Sequence, residues 1–308
     1  MKKYLLLPHL KIHNANAISS NYIIGFPALP AWLGGVHALE RKIKCCAGLA
    51  EVSFGGTGIV VHGYKIHSHR LKGNPNYSLA ITANPLKKKG KDFERPPIIP
   101  EGRIDMDVSL VIDVTGVDVV QESDLVAAVK QILPVMRLAS GDIMNMSDTL
   151  NITIHHIDDD EAKQYRELVS ELMPGYAILE RRELLLESGG AEDYDVIDAV
   201  NEHDAMDDLL NLLQVNEVAE LDDNKKIVKW SRSRSKAGWL VPIAVGYKAL
   251  SPAGKLSEQR DGSYEHQFAE SIVTIGEFKA LHRIRNIDEL MWHYKCTNNL
   301  YVCVNQNI

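Results

Sequence analysis

The sequence predicts an α+β protein, and three observations carry the prediction. Residues 4–13 are apolar and β-prone, with Leu5, Leu6, Leu7, Leu10 and Ile12. After Pro27 and Pro30, Trp32, Val36, Leu39 and Ile43 recur at spacings of four, three and four, one stripe on a helix face. From Ile104 to Val114, apolar residues alternate with Asp105, Asp107, Ser109 and Asp113 at a period of two, the pattern of a half-buried strand.

Taken in order, the first strand spans 4–13 and the first helix 30–44. Between them lies the polar run Asn14-Ala15-Asn16-Ala17-Ile18-Ser19-Ser20. Its short amide and hydroxyl side chains offer donors and acceptors to a phosphate, a sugar or a base edge. The alternative for the same residues is a turn in which Asn and Ser bond their own backbone. Gly55-Gly56-Thr57-Gly58 reads as a turn leading into a second β-prone run, 59–67. A structureless excursion, about 70–103, follows, rich in Lys, Pro, Asn and Gly, too long for an idle loop. The alternating strand 104–114 comes next. Residues 123–139 then read as a helix kinked at Pro134, Arg137 to Asp142 as a basic residue leading into a small-residue turn, and 150–156 as a strand.

The order strand, helix, strand, strand, helix, strand is that of ferredoxin-like domains, which RNA-recognition modules share. Beyond it, helices are expected at 160–173 and 195–213 and a short strand at 176–182. Residues 238–243 rejoin the core sheet, 263–295 read as helical, and 300–304 close the chain as a strand. Trp239 and Trp292 are expected in the core.

The net charge of −7 conceals an uneven distribution. From Lys65 to Arg103 there are nine basic and three acidic residues, net +6. From His155 to Asn224 there are four basic and twenty-one acidic residues, net −17, leaving +4 for the rest. This pattern fits a basic face for a polyanion and an acidic face for solvent or a basic protein. Lys87, Lys88 and Lys89 lie in the basic excursion, whose charge suits a phosphate backbone. Lys225 to Lys236 is a second basic patch, where Trp230 beside Arg232 and Arg234 offers a stacking surface, as Tyr64 does on the second strand. No secretory signal or membrane span is expected, and the four cysteines (Cys45, Cys46, Cys296, Cys303) lack zinc-ligand spacing, so a cytoplasmic protein with reduced thiols is expected.

No P-loop, GxGxxG, HExxH or GxSxG motif occurs. His155-His156 with Asp158-Asp159-Asp160 reads as a solvated loop, because neighbouring residues point apart; a metal site is the alternative. No cofactor and no metal is expected.

Short collinear stretches along nearly the whole chain carry a family resemblance. They are 5–8, 14–19, 25–27, 36–39, 58–62, 84–86, 101–103, 136–139, 174–177, 238–243, 246–251, 276–278, 282–283 and 290–292. In these the chain resembles the RAMP-superfamily subunit of the type I-F CRISPR surveillance complex (the Csy complex) that binds the 5′ handle of the guide RNA. Segment 185–235 matches poorly, and the superfamily's C-terminal glycine-rich loop is reduced to Ile275-Gly276-Glu277.

The resemblance implies an RNA-recognition-like palm, 1–156, with a thumb inserted at about 70–103. An acidic helical segment, 157–236, and a C-terminal part, 237–308, returning to the palm complete the division. It implies a non-catalytic role in a Cascade-type antiviral assembly. The implied partners are the guide RNA, the large subunit as a heterodimer, the first backbone subunit, nearby target DNA and phage anti-CRISPR proteins. The RNA-contacting set expected is Asn14, Asn16, Ser19, Ser20, His37, Arg41, Lys87, Lys88, Lys89, Arg103, Arg137, Arg232, Arg234 and Arg283. The alternative is a RAMP endoribonuclease processing precursor guide RNA, with His37 or His62 in acid–base chemistry.

Overall fold

The computed structural model describes residues 2–80, 85–96, 101–158, 161–185, 205–221, 226–259, 261–297 and 299–305. The architecture is α+β. Strand β1 (Lys2–Asn16) leads to helix α1 (Leu29–Ile43), then β2 (Ser53–Ile66). Two small hairpins follow, β3 (Ser68–His69) with β4 (Ser78–Leu79) and β5 (Lys87–Lys89) with β6 (Asp92–Glu94). Next come β7 (Arg103–Thr115), α2 (Glu122–Ile132), β8 (Arg137–Leu138), β9 (Gly141–Ile143), β10 (Thr153–Ile157), α3 (Glu161–Glu171) and β11 (Tyr176–Glu180). Helix α4 (Ala205–Leu213) precedes the hairpin β12 (Asn216–Leu221) and β13 (Ile227–Ser233). Strands β14 (Leu240–Ala249), β15 (Ala269–Ala280), β16 (His293–Cys296) and β17 (Leu300–Val304) complete the chain.

Eleven strands form one sheet in the order β16-β17-β14-β15-β11-β2-β7-β1-β9-β8, with β10 on the N-terminal half of β1. Every pairing is antiparallel. On one face, Leu5, Leu7, Leu10 and Ile12 of β1 and alternate residues of β7 from Ile104 to Val114 pack under α1 and α2. All four stripe residues of α1 are buried, and Trp32 stacks on Phe26 at 5.6 Å between ring centres. The opposite face holds Tyr4, Leu6, Val60 and Val111 under Tyr165, Leu168 and Leu172, together with Leu281, Ile284, Ile287 and Leu290. A third cluster joins Leu209 and Leu212 of α4 to Leu184, Leu240 and Ile275.

Several expectations are corrected. Gly55 to Gly58 is no turn: it lies inside β2, across a register shift between Phe54 and Thr57. Glycine is favoured there because a Cβ at Gly56 would lie 2.8 Å from the Met291 Cβ, which is fixed to its backbone. The helix beginning near 123 ends at Ile132 rather than kinking through. A 3-10 turn, Leu133–Val135, follows, since Pro134 has no N–H to continue the helix. The excursion is not structureless; it carries β4, which pairs with β3 just before it, and the hairpin of β5 and β6. Residues 263–295 form no α-helix, only strands and two 3-10 turns, Leu281–Arg283 and Asp288–Leu290. The β-branched run Ile272-Val273-Thr274-Ile275 fits a pleated strand, and β11 and β14 hydrogen-bond both edges of β15. The helix expected at 195–213 is described from Ala205; 195–204 lie outside the described residues. Trp292 is fully buried, its indole N–H donating to the Ile178 carbonyl at 2.9 Å, but Trp239 is 43% exposed against Tyr176 and Phe278.

Gly246, at a bulge in β14, lies against the backbone of β17: a Cβ there would sit 2.1 Å from the Tyr301 carbonyl oxygen. Gly63, at the β2 bulge, has nothing within 4 Å of such a Cβ. Backbone cannot yield as a side-chain tip can, so Gly246→Ala is expected to cost about 3 kcal/mol and Gly63→Ala less than about 1 kcal/mol. Denaturant midpoints of the two variants check this contrast.

Candidate nucleic-acid interface

Two bulges shape the exit of β1. Its register against β7 shifts between Leu7 and Leu10 and again between Ile12 and Ala15. His9 (φ 49°) and Asn14 (φ 58°) take left-handed conformations there, one a histidine and the other an asparagine, residue types that tolerate this region better than most. A bulge frees a backbone N–H, and β7 side chains capture both. The His9 N–H donates to the Ser109 hydroxyl at 2.9 Å and the Asn14 N–H to Asp105 Oδ1 at 3.0 Å. The sheet's second face, covered over its N-terminal half of β1, is open here. A groove is lined by Lys11, His13, Tyr64, Lys65, Asp105 and Asp107.

Its acids are held by its bases. Lys11 and His9 both contact Asp107, the latter at 3.1 Å, while His13 and His67 each contact one oxygen of Asp105 at 2.8 Å. Burial pushes the Asp105 carboxyl up. The Asn14 amide and the two imidazoles outweigh it and hold the group below its usual range.

The polar run 14–20 is pinned rather than loose. Asn16 donates to Ala139, Ala17 to Gly102 and Ser19 to Ile23, backbone to backbone, at 2.9, 2.9 and 3.2 Å. The Asn16 side chain accepts from the Ile18 N–H at 3.1 Å and donates to the Ile18 carbonyl at 2.9 Å, so it bonds its own backbone. Ser20 is buried and accepts from the Tyr22 N–H. The buried Ser19 hydroxyl has no hydrogen-bond partner among the described residues.

The fold gathers part of the expected set at one corner. Asn16 is the register partner of Arg103, whose guanidinium reaches the Asn14 carbonyl at 3.3 Å and Glu101 at 2.6 Å. Arg137, paired with Asp142 at 2.8 Å, starts the β8–β9 hairpin that receives the Asn16 N–H. The base of the excursion meets the same corner: Gly102 packs on Ile18, Ala17 and Leu79, and the His67 N–H donates to Arg103. Lys87, Lys88 and Lys89 lie further out along this excursion as the exposed strand β5, with Lys89 3.0 Å from Glu94.

The remaining candidates lie elsewhere. His37 and Arg41 are exposed on α1, and His37 contacts the Tyr294 hydroxyl of β16 at 3.4 Å. Arg232 pairs with Glu217 across the β12–β13 hairpin at 2.7 Å; Arg234, just beyond β13, is exposed, as is Trp230. Arg283 is exposed on a 3-10 turn, Leu281–Arg283, beside α3's packing face.

The exposed aromatics Tyr64 and Trp239 share an apolar groove with Phe26, Met106 and Phe278. His155 and His156 point apart: one faces Glu171 at 3.5 Å, the other Glu122 at 3.1 Å. The grouping that sequence reasoning missed is His13, His67 and Asp105, whose ligand atoms lie within 4.8 Å of one another. Nothing in their separations along the chain signals it.

His62 is committed to structure. The Pro174 carbonyl at 2.8 Å can only accept, so His62 Nδ1 carries the proton. Nε2 then accepts from the Ser109 hydroxyl at 2.7 Å. Burial depresses its pKa below the ordinary histidine value; the Pro174 hydrogen bond opposes this and the neighbouring His9 adds to it.

The family described as CRISPR-associated protein (Cas_Csy2) matches residues 5–303. The chain belongs to this Csy2 family. It is 31% identical over 307 residues to the CRISPR-associated protein Csy2 of Pseudomonas aeruginosa (strain UCBPP-PA14), covering 94% of this chain and 90% of the relative. Membership agrees with the resemblance read from the sequence, to a subunit of the type I-F Csy complex. Among the described residues no helix is long and apolar enough to cross a membrane.

A histidine held neutral by the fold stabilises it above the unfolded-state pKa of about 6.5, and that stability is lost as pH falls through the lower folded value. The melting temperature is therefore expected to fall between about pH 7 and pH 5. His62→Gln is expected to flatten that dependence, as thermal melts across the range will register.

Proposed function

We propose that this Csy2-family chain is the non-catalytic subunit of a type I-F surveillance complex that holds the 5′ handle of the guide RNA. In this reading it pairs with the large subunit, abuts the first backbone subunit and works in the cytoplasm, where the assembly meets target DNA and phage inhibitor proteins. The observation that carries the reading is the family match from residue 5 to 303. The corner built from 14–20, Arg103, Arg137 and the base of the basic excursion supports it.

The palm is read as ferredoxin-like. The order β10-β1-β7-β2, antiparallel throughout, with α1 and α2 on one face, supports this. The excursion is the thumb; its residues 81–84 lie outside the described residues. The acidic stretch 157–236 and the C-terminal part 237–308 complete the division, with β11 and β14 both entering the main sheet.

The role is non-catalytic because the basic nitrogen of His62 is already occupied by Ser109 and His37 faces a tyrosine hydroxyl rather than an acid that would tune it. The RNA is held by phosphate contacts from Lys87, Lys88, Lys89, Arg103 and Arg137, with Asn14, Asn16, Ser19 and Ser20 shaping the backbone at the handle. His37, Arg41, Arg232, Arg234 and Arg283 extend the contact surface on other faces.

Co-expression with the large subunit and a guide RNA tests the reading. A heterodimer that purifies with bound RNA is expected; a heterodimer free of nucleic acid overturns it. Replacing Lys87, Lys88 and Lys89 together by Ala is expected to weaken all RNAs alike, because phosphates carry no base information. The slope of log affinity on log salt should become shallower by about 0.7 for each phosphate that is no longer neutralised. An unchanged slope in filter-binding titrations would remove the lysines from the interface.

A further inference from the structure

We propose that His13, Asp105 and His67 form a binding site for one divalent transition-metal ion of the zinc class, tying together the ends of β1, β2 and β7. This does not rest on the RNA-binding reading.

The fold builds the site from three neighbouring strands. The second bulge of β1, between Ile12 and Ala15, turns His13 toward Asp105 at the start of β7. On the other side Lys65 pairs with Asp105, Ile66 pairs with Ile104, and the His67 N–H donates to the Arg103 carbonyl, which fixes the approach of the His67 ring. The imidazole nitrogens and a carboxylate oxygen already converge within 4.8 Å of one another. His13 offers Nδ1 and His67 offers Nε2, each 2.8 Å from Asp105.

Metal–ligand bonds of about 2.0–2.2 Å need only a modest tightening of this set. Each neutral ring binds the ion through its unprotonated nitrogen and keeps its N–H on the other one, so His13 presents Nδ1 and His67 presents Nε2. The Asn14 N–H on Asp105 Oδ1 supplies the outer hydrogen bond that orients a metal-binding carboxylate. Two of the neighbouring cations are paired, Arg103 with Glu101 and Lys11 with Asp107, which lowers the positive charge an incoming ion meets.

Two imidazoles and one carboxylate select zinc, cobalt or nickel over magnesium or calcium, which favour oxygen ligands. The His13, Asp105 and His67 side chains are 47%, 36% and 25% exposed, which leaves a coordination position open to water or to a phosphate oxygen. Histidine pairs elsewhere differ: His9 and His62 stack at 4.0 Å, with both His62 nitrogens already engaged.

The test is a Co²⁺ titration of the full-length chain, stripped with chelator and dialysed, and followed by visible absorption. Cobalt reports its ligands, and thiolates at Cys45, Cys46 or Cys296 would add an intense near-ultraviolet band. One saturable ion per chain is expected, with visible bands, no thiolate band and no displacement by Mg²⁺. Asp105→Asn keeps the acceptor for Asn14, and His67→Gln alters a partly exposed ring. Each is expected to weaken binding by more than about tenfold while circular dichroism stays native. Wild-type protein that binds no cobalt, shows a thiolate band, or binds as its natively folded variants do would overturn the proposal. Should Asp105→Asn fail to fold, His67→Gln decides alone.

Discussion

Strand β7 has hydrogen-bonded partners on both edges, β1 and β2, and its period of two must satisfy an environment on each face. Ile104, Met106, Val108, Leu110, Ile112 and Val114 all enter the layer under α1 and α2. A slip of one residue would bury Asp105 and Asp107 there and expose the apolar set. The opposite face changes along the strand: Val111 meets the cluster that includes residues of α3, while Ser109, Asp107 and Asp105 run progressively into the open groove. The same register therefore fixes the core and decides where polar side chains gather.

The corner follows from that register. Bulges in β1 bring backbone N–H groups out of the ladder where β7 presents Ser109 and Asp105, so each irregularity is capped by a side chain of its neighbour. The second bulge leads directly into the polar run and sets Asn16 opposite Arg103, at the root of the excursion. The site is thus held by central strands, while the lysine-bearing part that reaches out is a pair of two-stranded hairpins. A base set in the sheet with basic hairpins beyond it is the arrangement on which the proposed RNA-binding reading draws.

Elements with strong periodicity were legible in the sequence: β1, α1, β7 and β11 all fall within a few residues of the expected bounds. The failures share a cause. The run from Ile272 to Ile275 sits within a longer polar stretch, and its pairing with β14, continued by β11 on residues 276–280, makes it part of a strand. The glycines at 55–58 resemble a turn until the side chains of Met291 and His293 pack against Gly56. Of the candidate RNA-contacting residues, the run 14–20 and the lysines were legible from composition. Their mutual arrangement was not, because Asn16, Arg103 and Arg137 meet only through sheet pairing. His13, His67 and Asp105 meet for the same reason. The Asn16 amide serves the Ile18 backbone, the self-bonded turn that these residues by themselves favour.

The central claim is that the corner of β1, β7 and the β8–β9 hairpin holds the guide RNA's 5′ handle. Photo-crosslinking with a handle carrying 4-thiouridine, within the assembled heterodimer, followed by peptide mapping, addresses it most directly. Crosslinks are expected within 14–20, at the excursion around Lys87 to Arg103, and next to Arg137. Crosslinks confined to the β12–β13 hairpin, to the exposed side of α1 or to the turn at Arg283 would contradict it.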